Sequence, residues 1–521
     1  MSDETKSLRD IRLEKLKKLR DLGVNPYPVE TERTHSAAEV IEGYNTLEGV
    51  DVAVAGRLSA VRGHGKAVFA DLTDESGKVQ LYFKKDNLGD DFGLIEFLDL
   101  GDFVNAGGPV FKTKTGEVTV EVKRFNILAK GLRTPPVVKT RETEDGTVET
   151  FDEFADPEKR YRKRYVDMLV NPASKKRIAD RARMTAAIRR FMDDRGFVEI
   201  ETPILQPLYG GANARPFTTY HNELETDLYL RIADELYLKR LLVAGFERIY
   251  EIGKDFRNEA IDRTHYPEHT LLEWYEAYAT YEDCITMVEE LIAGLAEDLH
   301  RTTKIEYQGR PLDLTPPWRR VEVVPTINDA TGLDVFTCSK NDLLVAIKNL
   351  INKLIEKHYL KKFKDSYRGQ LDKIRDEPQE DWTRYKLIDI LLDLVVKDAA
   401  WDPIIATGYP AELSPLAKRS PENPRVVERF ELFVAGTELA NSFSEQNDPL
   451  AQREALEAQA AARAAGDDEA QTVDEDFLEA LEYGMPPAGG IGVGLDRLAM
   501  ILTDAPNIRE VLAFPQLREK K

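Results

Sequence analysis

The chain opens on a helical period and then changes to a period of two. Residues Arg9 to Arg20 place Leu8, Ile11, Leu16, Leu19 and Leu22 on one side and Arg12, Lys15, Lys17 and Lys18 on the other, with Gly23 as a C-cap. This predicts a basic amphipathic helix that packs on its own domain or a second copy, or else faces nucleic acid. From Val50 to about Leu128 apolar and polar residues alternate in five short runs, DVAVAGRL, KAVFADL, KVQLYFK, DFVNAGGPVF and EVTVEVKRFNIL, punctuated by turn signals at Asp74 to Gly77 and Lys114 to Gly116. Gly131 to Phe154 carries Pro135, Pro136 and a run of Thr, Glu and Asp, and reads as a linker; helical spacing resumes over Val166 to Asp194. Two later stretches stand out. Arg248 to Gly253 reads as a strand running toward Arg257, Ala260 to His269 as a polar loop, and Thr270 to Tyr278 as a second strand with Glu273 and Tyr275 on one face. Downstream, GGIGVGLDRLAMIL alternates Gly490, Gly492 and Gly494 with Ile491 and Val493, then changes to helical spacing and presents Arg497 near a helix start.

Five strands joined in this way suit an OB-fold barrel. The length of 521 residues, 42% hydrophobic, exceeds one usual domain, so two domains are expected. Two cysteines, Cys284 and Cys338, are too few for a disulfide framework or metal cluster and point to a reducing compartment. MSDETKSLRD has no apolar signal core and no run approaches membrane-spanning length, so a soluble, cytoplasmic protein is expected. A net charge of −21 argues against bulk electrostatic binding of nucleic acid, which needs Lys and Arg where the polyanion lies; a local basic surface can still provide it.

The chemistry concentrates around Arg257, whose planar donor fork can hold a carboxylate and a phosphate together. Glu259, two residues on, shares its face if the strand continues. A bare glycine face admits a flat ligand, although taken alone such a strand is as readily a close packing contact, and its spacing is not that of the dinucleotide fingerprint.

These residues fall into motifs that resemble those of the class II aminoacyl-tRNA synthetases, most closely the bacterial-type lysyl-tRNA synthetases. RRFMDDRGFVEIETPIL, ending its strand at Pro203, resembles motif one, the Arg257 segment motif two and the Arg497 segment motif three. GGANARPF, ADELYLKRLL, YPAELSPLAKR and RFELFVAGTELANSFSEQND join them, so the resemblance covers nearly the whole chain. It implies an α+β enzyme: an antiparallel catalytic sheet with flanking helices, preceded by an N-terminal OB-fold β-barrel. The expected layout is 1–48 for the helix and lead-in, 49–130 for the barrel, 131–155 for the linker and 156–521 for the catalytic domain, with a divergent insertion around 338–400.

The implied activity is ATP-dependent, AMP-forming lysine–tRNA ligation through a lysyl-adenylate, with tRNA(Lys), ATP and L-lysine as partners, Mg2+ as cofactor, no membrane and a homodimer built on motif one. The catalytic residues implied are Arg257 and Arg497. ATP falls to these two with Glu259, His265, His269, Glu431, Glu438 and Gly494, of which Glu431 and Glu438 match the family's metal ligands. Lysine falls to Gly211, Ala212, Glu235, Arg257, Glu273, Tyr275, Asn441, Phe443, Glu445 and Gly492, with Glu445, Glu273 and Tyr275 at the ε-ammonium. Anticodon contacts fall to Arg62, Phe69, Gln80 and Glu117; without the resemblance Phe69 reads as barrel core.

A pocket of carboxylates wants a cation, so a sister enzyme for aspartate or asparagine is disfavoured. A non-catalytic RNA-binding or amino-acid-sensing paralogue would be expected to lose an arginine or a metal carboxylate, and all four are present. A ligase acting on a protein would not need the barrel. Three positions depart from the family pattern: Tyr266 and His269 stand where it has Asn and Phe, and Ser442, in place of glycine, is expected to crowd the pocket floor. Leu343 to Asp381, with Lys361, Lys362 and Lys364, reads as a surface helix pair or a tRNA-facing arm, and the Ala-rich stretch Gln452 to Asp468 as a helix.

Overall fold

A computed structural model describes residues 7–136, 139–142, 148–151, 154–356, 383–397, 400–464 and 472–518. The chain divides into two units, Met1–Asn171 and Pro172–Lys521.

In the first unit, helix α1 (Leu8–Asp21) starts where the Ser7 hydroxyl accepts the Asp10 amide. Only part of its predicted apolar side is buried. Leu16 and Leu19 are inside, whereas Leu8, Ile11 and Leu22 are exposed. Two of its basic residues face inward instead: buried Arg12 donates to the carbonyls of Gly131 at 2.7 Å and Leu100 at 2.9 Å, and Lys15 pairs with Asp99 at 2.8 Å. The helix therefore docks on its own unit through Arg12 bonds to loop carbonyls, and Lys17, Lys18 and Arg20 keep its exposed basic side.

The barrel consists of β1 (Asp51–His64), β2 (Ala67–Thr73), β3 (Lys78–Lys84), β4 (Phe103–Lys112), β5 (Val118–Val122) and β6 (Arg124–Ala129). Strands pair in the order β1-β2-β3-β5-β4, and β4 returns to β1, which closes a five-strand barrel. The fifth predicted run is one strand broken at Lys123, whose amide turns back to the Gly107 carbonyl at 2.8 Å. Beyond the break β6 pairs with β4. Alternation works as the pattern requires: Val68, Ala70 and Leu72 point inward with Val79, Leu81 and Phe83, and Phe69, Gln80 and Tyr82 are left off the core.

The second unit is built on an eight-stranded sheet. In chain order its strands are β7 (Val198–Glu199), β8 (Arg248–Phe256), β9 (Glu268–Ala277), β10 (Arg319–Glu322), β11 (Ile404–Pro410), β12 (Val426–Val434), β13 (Thr437–Ser444) and β14 (Ala488–Gly494). They lie in the order β10-β11-β12-β13-β14-β9-β8-β7, antiparallel except for one parallel pair at each edge. Helices α2 (Pro172–Asp193), α4 (Tyr281–His300) and α5 (Leu495–Leu502) share one core with one face of this sheet, while α3 (Glu235–Val243) carries site residues described below. Helix α4 has a Thr280/Asp283 capping box and a stripe of Ile285, Val288, Leu291, Ile292 and Leu295 that packs with Leu272, Trp274, Ile491 and Val493. Each fully buried Leu or Ile there contributes about 1.5–3 kcal/mol. Because strand side chains alternate, the residues between these core positions emerge on the other face of the sheet.

Within the insertion, the helix Lys340–Glu356 packs Leu343, Ile347 and Ile351 with Leu387, Ile388 and Leu391 of the helix Arg384–Leu392. Lys361, Lys362 and Lys364 lie outside the described residues. The Ala-rich stretch is helical over Pro449–Ala464, and the rest of it up to Asp468 also lies outside them.

Candidate active site

Cross-strand register assembles the open face. Glu251 lies opposite Glu273, Glu273 opposite Gly492, Gly492 opposite Asn441 and Asn441 opposite Glu431; one step along, Tyr275, Gly490, Phe443 and Arg429 repeat the row. Above these rows is a cavity of about 400 Å3. It is lined by Gly211, Ala212, Glu235, Arg257, Glu259, His265, His269, Glu273, Tyr275, Glu438, Asn441, Phe443, Glu445, Gly492, Gly494 and Arg497. Every lysine- and ATP-site candidate is thus brought together except Glu431.

Glu431 lies behind the lining, buried and bonded to Arg429 at 2.5 Å. Burial and then the like charge of Glu438 push its carboxyl up to about 8 against the pull of Arg429. Glu438 lines the cavity beside Arg497 Nη1 at 3.4 Å. A buried carboxyl pushed up by a neighbouring carboxylate is relieved by a hard cation, so this pair fits a divalent ion that binds through oxygen. Among the described residues no group of three or more His, Cys, Asp or Glu forms a cage of its own.

At one end of the cavity lies Arg257. Its Nε donates to the Ile232 carbonyl at 3.3 Å, and no carboxylate of the described residues comes within ion-pair distance of its guanidinium. Glu259 is not on its strand: β8 stops at Phe256, so Glu259 reaches the exposed rim from the following loop. In that loop the Asp262 carboxylate accepts the amides of Thr264 at 2.7 Å and His265 at 2.8 Å and meets His265 Nδ1 at 2.8 Å. His269 sits between Arg257, Arg497 and Lys254; burial first and these three positive charges next hold its imidazole down at about 3, hence neutral. Tyr266 turns its ring into the core, where its hydroxyl accepts the Gln516 amide at 2.6 Å. The Arg497 Nη1 donates to the Glu438 carbonyl at 2.8 Å.

The other end is acidic. Glu273 accepts from the Tyr275 hydroxyl at 3.2 Å, and burial together with the charges of Asp255 and Glu235 raises its proton affinity well above the ordinary range. Buried Asp234 and Asp255 flank Arg231 Nε at 3.1 and 3.2 Å, and Glu251 accepts from Arg231 Nη1 at 2.6 Å. Glu235 bonds at 2.5 Å to Lys239, whose ammonium is also bonded to Glu445. Asp234, Asp255, Arg231, Arg429 and Lys239 carry a large part of this electrostatics and were not singled out from the sequence; a Glu and a Lys four apart in ADELYLKRLL was the one local signal for Lys239.

Ser442 does not crowd the floor. It lies on the opposite face from Asn441 and Phe443, fully buried, and donates to the Gly490 carbonyl at 2.7 Å.

On the barrel, Phe69 is half-buried, lies outside the core and stacks on Tyr82 at 4.6 Å, with Phe111 a further 6.1 Å from Tyr82. Arg62 lies directly across from Phe69 in the β1–β2 register and donates to Asp71 at 2.7 Å, while Gln80 accepts from the Thr119 hydroxyl at 3.0 Å. Glu117 is exposed on the turn before β5. Tyr82 and Phe111 extend the aromatic surface beyond the single ring that the sequence reading named.

Among the described residues, no helix is long and apolar enough to cross a membrane. Residues 156–518 match the family of tRNA synthetases class II (D, K and N), and residues 52–128 match the OB-fold nucleic acid binding domain. The chain is similar to lysine–tRNA ligases of Moorella thermoacetica, 46% identical with 99% of this chain and 98% of that protein aligned, and of Bacillus subtilis, 42% identical with 99% and 98% aligned. A lysine–tRNA ligase of Carboxydothermus hydrogenoformans is 45% identical with 99% of both chains aligned. The chain belongs to the class II tRNA synthetases (D, K and N), and within them to the lysine–tRNA ligase family.

Proposed function

We propose that this enzyme activates L-lysine with ATP and transfers it to tRNA(Lys), and that the acidic end of the cavity recognises both ammonium groups. One observation carries the reading. Among the described residues, the buried carboxyls of Asp234, Glu235, Glu251, Asp255, Glu273 and Glu445 are met by four cations, Arg231, Lys239, Arg257 and Arg429, the last already bonded to Glu431. An acidic amino acid would add charge of the wrong sign, whereas lysine supplies two cations to a desolvated site where each is worth far more than in water.

In this reading Glu235, with Gly211, Ala212 and Asn441, receives the α-ammonium, and Glu273, Tyr275 and Glu445 receive the ε-ammonium beside Phe443. Arg257, which has no carboxylate within ion-pair distance among the described residues, bridges the lysine α-carboxylate and the ATP α-phosphate. That brings the attacking oxygen in line with phosphorus, which is the positioning contribution to catalysis. The carboxylate oxygen attacks the α-phosphorus, the bond to pyrophosphate breaks, and charge on the departing group is met by Arg497. A hydroxyl of the tRNA's terminal adenosine then attacks the acyl carbon and AMP leaves, so no covalent protein nucleophile is needed.

The neutral His269 offers adenine a flat face without titrating at neutral pH. Glu259 and His265 border the phosphates, while Gly492 and Gly494 leave room for the ligand. Glu431 and Glu438 would hold Mg2+, which would supply positive charge to offset that of the phosphates. Phe69, with Arg62, Gln80 and Glu117, reads the anticodon. Motif one, on α2 and β7, forms a homodimer interface, and the protein works in the cytoplasm.

Lysine-dependent pyrophosphate exchange measured against all twenty amino acids tests this reading, together with Glu445→Gln. Wild type is expected to select lysine, and the variant to fold but bind it about 2–4 kcal/mol more weakly, because a desolvated ammonium loses a charged partner. A folded variant with unchanged lysine affinity removes Glu445 from the site.

A further inference from the structure

Lys239 is fully buried on the first turns of α3, and it does not line the cavity. Its ammonium contacts Glu235 Oε1 at 2.5 Å and Glu445 Oε2, and lies 5.3 Å from the centre of the Phe443 ring. Glu235, Phe443 and Glu445 all line the cavity. The lysine therefore approaches them from behind and holds one oxygen of each carboxylate. The other two oxygens point toward the site: Glu235 Oε2 lies 3.9 Å from where a Cβ on Gly211 would be, and Glu445 Oε1 lies 2.1 Å from where one on Gly490 would be.

We propose that Lys239 is a positioning and specificity-determining residue: its ammonium ties the carboxylate of the α-ammonium subsite to that of the ε-ammonium subsite, fixing their separation and favouring the anionic form of both. This rests on the lysine reading given above and deepens it. The physical need is plain. Burial disfavours the charged form of both acids, and an acid that takes up a proton loses most of its attraction for an ammonium. Glu445 is pushed up to about 8 by burial and by the charge of Glu235, and Lys239 is the cation pulling it down. The groups facing this trio from neighbouring elements are Glu273 and Tyr275 on β9, Asp255 on β8, Arg429 on β12 and Cys284 on α4. Of the cations among them, Arg429 is already engaged by Glu431. Lys239 is hence the counter-charge shared by the two subsites. Its three N–H donors match two carboxylates and the face of an aromatic ring.

The test compares wild type, Lys239→Met and Lys239→Arg in lysine-dependent pyrophosphate exchange across pH, with L-norleucine, which lacks the ε-ammonium, as a second amino acid. In Lys239→Met the KM for lysine rises roughly 10- to 100-fold while that for ATP changes little. Without the cation the acids ionise at higher pH, so the acid limb of kcat/KM for lysine moves upward by about one pH unit or more. Preference for lysine over norleucine narrows. Lys239→Arg, which keeps the charge, leaves the acid limb in place. A purely structural lysine would lower activity without moving the limb, and that result, or an equal shift in Lys239→Arg, overturns the proposal.

Should Lys239→Met not fold, a crystal structure of wild type with L-lysine decides. The proposal requires that Lys239 keep both carboxylates while their second oxygens take the two substrate ammoniums. Displacement of Lys239 by the substrate overturns it. A wild type that shows no lysine-dependent exchange at all would instead overturn the lysine reading itself.

Discussion

At the scale of the residue, the site is governed by which groups are kept from their ordinary protonation state. His269 is the clearest case at the Arg257 end of the cavity, its imidazole held down at about 3 by burial and by the charges of Arg257, Arg497 and Lys254. An unfolded chain ionises histidine near pH 6.5. As pH falls from about 6.5 toward about 3, the unfolded state takes up a proton that the folded state refuses, so the unfolded state binds more protons and stability declines with falling pH. His269→Phe removes that contribution. The melting temperature of the ligand-free protein should therefore drop less for His269→Phe than for wild type between about pH 7 and about pH 5, while the KM for ATP stays within a few-fold because a flat ring remains. Identical pH dependence of the two proteins would mean that His269 is not held neutral by its surroundings. The acids behave oppositely. Glu445, raised toward 8, favours the ligand-free fold at low pH and loses that contribution as pH rises toward 8, where the ionised group needs a cation.

At the scale of the element, β14 shows how one glycine run serves two purposes. A Cβ at Gly490 would lie 2.1 Å from Glu445 Oε1 and 2.4 Å from the Tyr275 ring, so the protein itself closes over that position. At Gly492 the nearest atoms, in Glu273, are 3.7 Å away, an ordinary contact. Gly490→Ala should consequently lower the melting temperature, since a buried ion pair and a packed ring must move. Gly492→Ala should melt like wild type yet raise the KM for lysine or ATP, its methyl occupying space that the fold leaves open. Thermal melts and exchange kinetics on both variants check this; reversed effects would mean that the open space at Gly492 serves packing. The period-two pattern revealed both strands of the motif-two hairpin and the glycine face, because alternation is a local property of the chain. It could not reveal that β8 ends at Phe256 and leaves Glu259 in a loop, that Glu431 lies behind Arg429, or that Arg12 turns inward to carbonyls of its own unit. Those depend on partners far away in sequence. Lys239 was hidden for a related reason: a Glu and a Lys four apart on a helix look like a solvated pair until the strands that bury them are in place. Ser442 was misread because crowding the floor requires facing it, and the alternation that places Asn441 and Phe443 toward the cavity places Ser442 away from it.

At the scale of the whole molecule, a net charge of −21 and a polyanionic substrate are reconciled only if tRNA recognition is local. The barrel supplies a surface suited to that. Phe69, Tyr82 and Phe111 form a row of aromatic rings outside the core, bordered by Arg62 and Gln80. Their energies decide what a deletion would do. Stacking on one base is worth roughly 1–3 kcal/mol, so Phe69→Ala should raise the KM for tRNA or lower aminoacylation efficiency by about 10- to 100-fold. Lysine-dependent pyrophosphate exchange should remain near wild type, because the described residues that line the cavity proposed for lysine and ATP all belong to the second unit. Removing a core ring would cost roughly 3–5 kcal/mol; Phe69 is half-buried and touches Tyr82 on the outer surface, so the loss in barrel stability should be much smaller. The comparison needs three measurements on one preparation: the thermal melt, exchange, and tRNA charging. Loss of charging alone assigns Phe69 to the nucleic acid. A melted barrel, or equal loss in both reactions, would return Phe69 to a structural role and leave recognition to Tyr82, Phe111 and their polar neighbours.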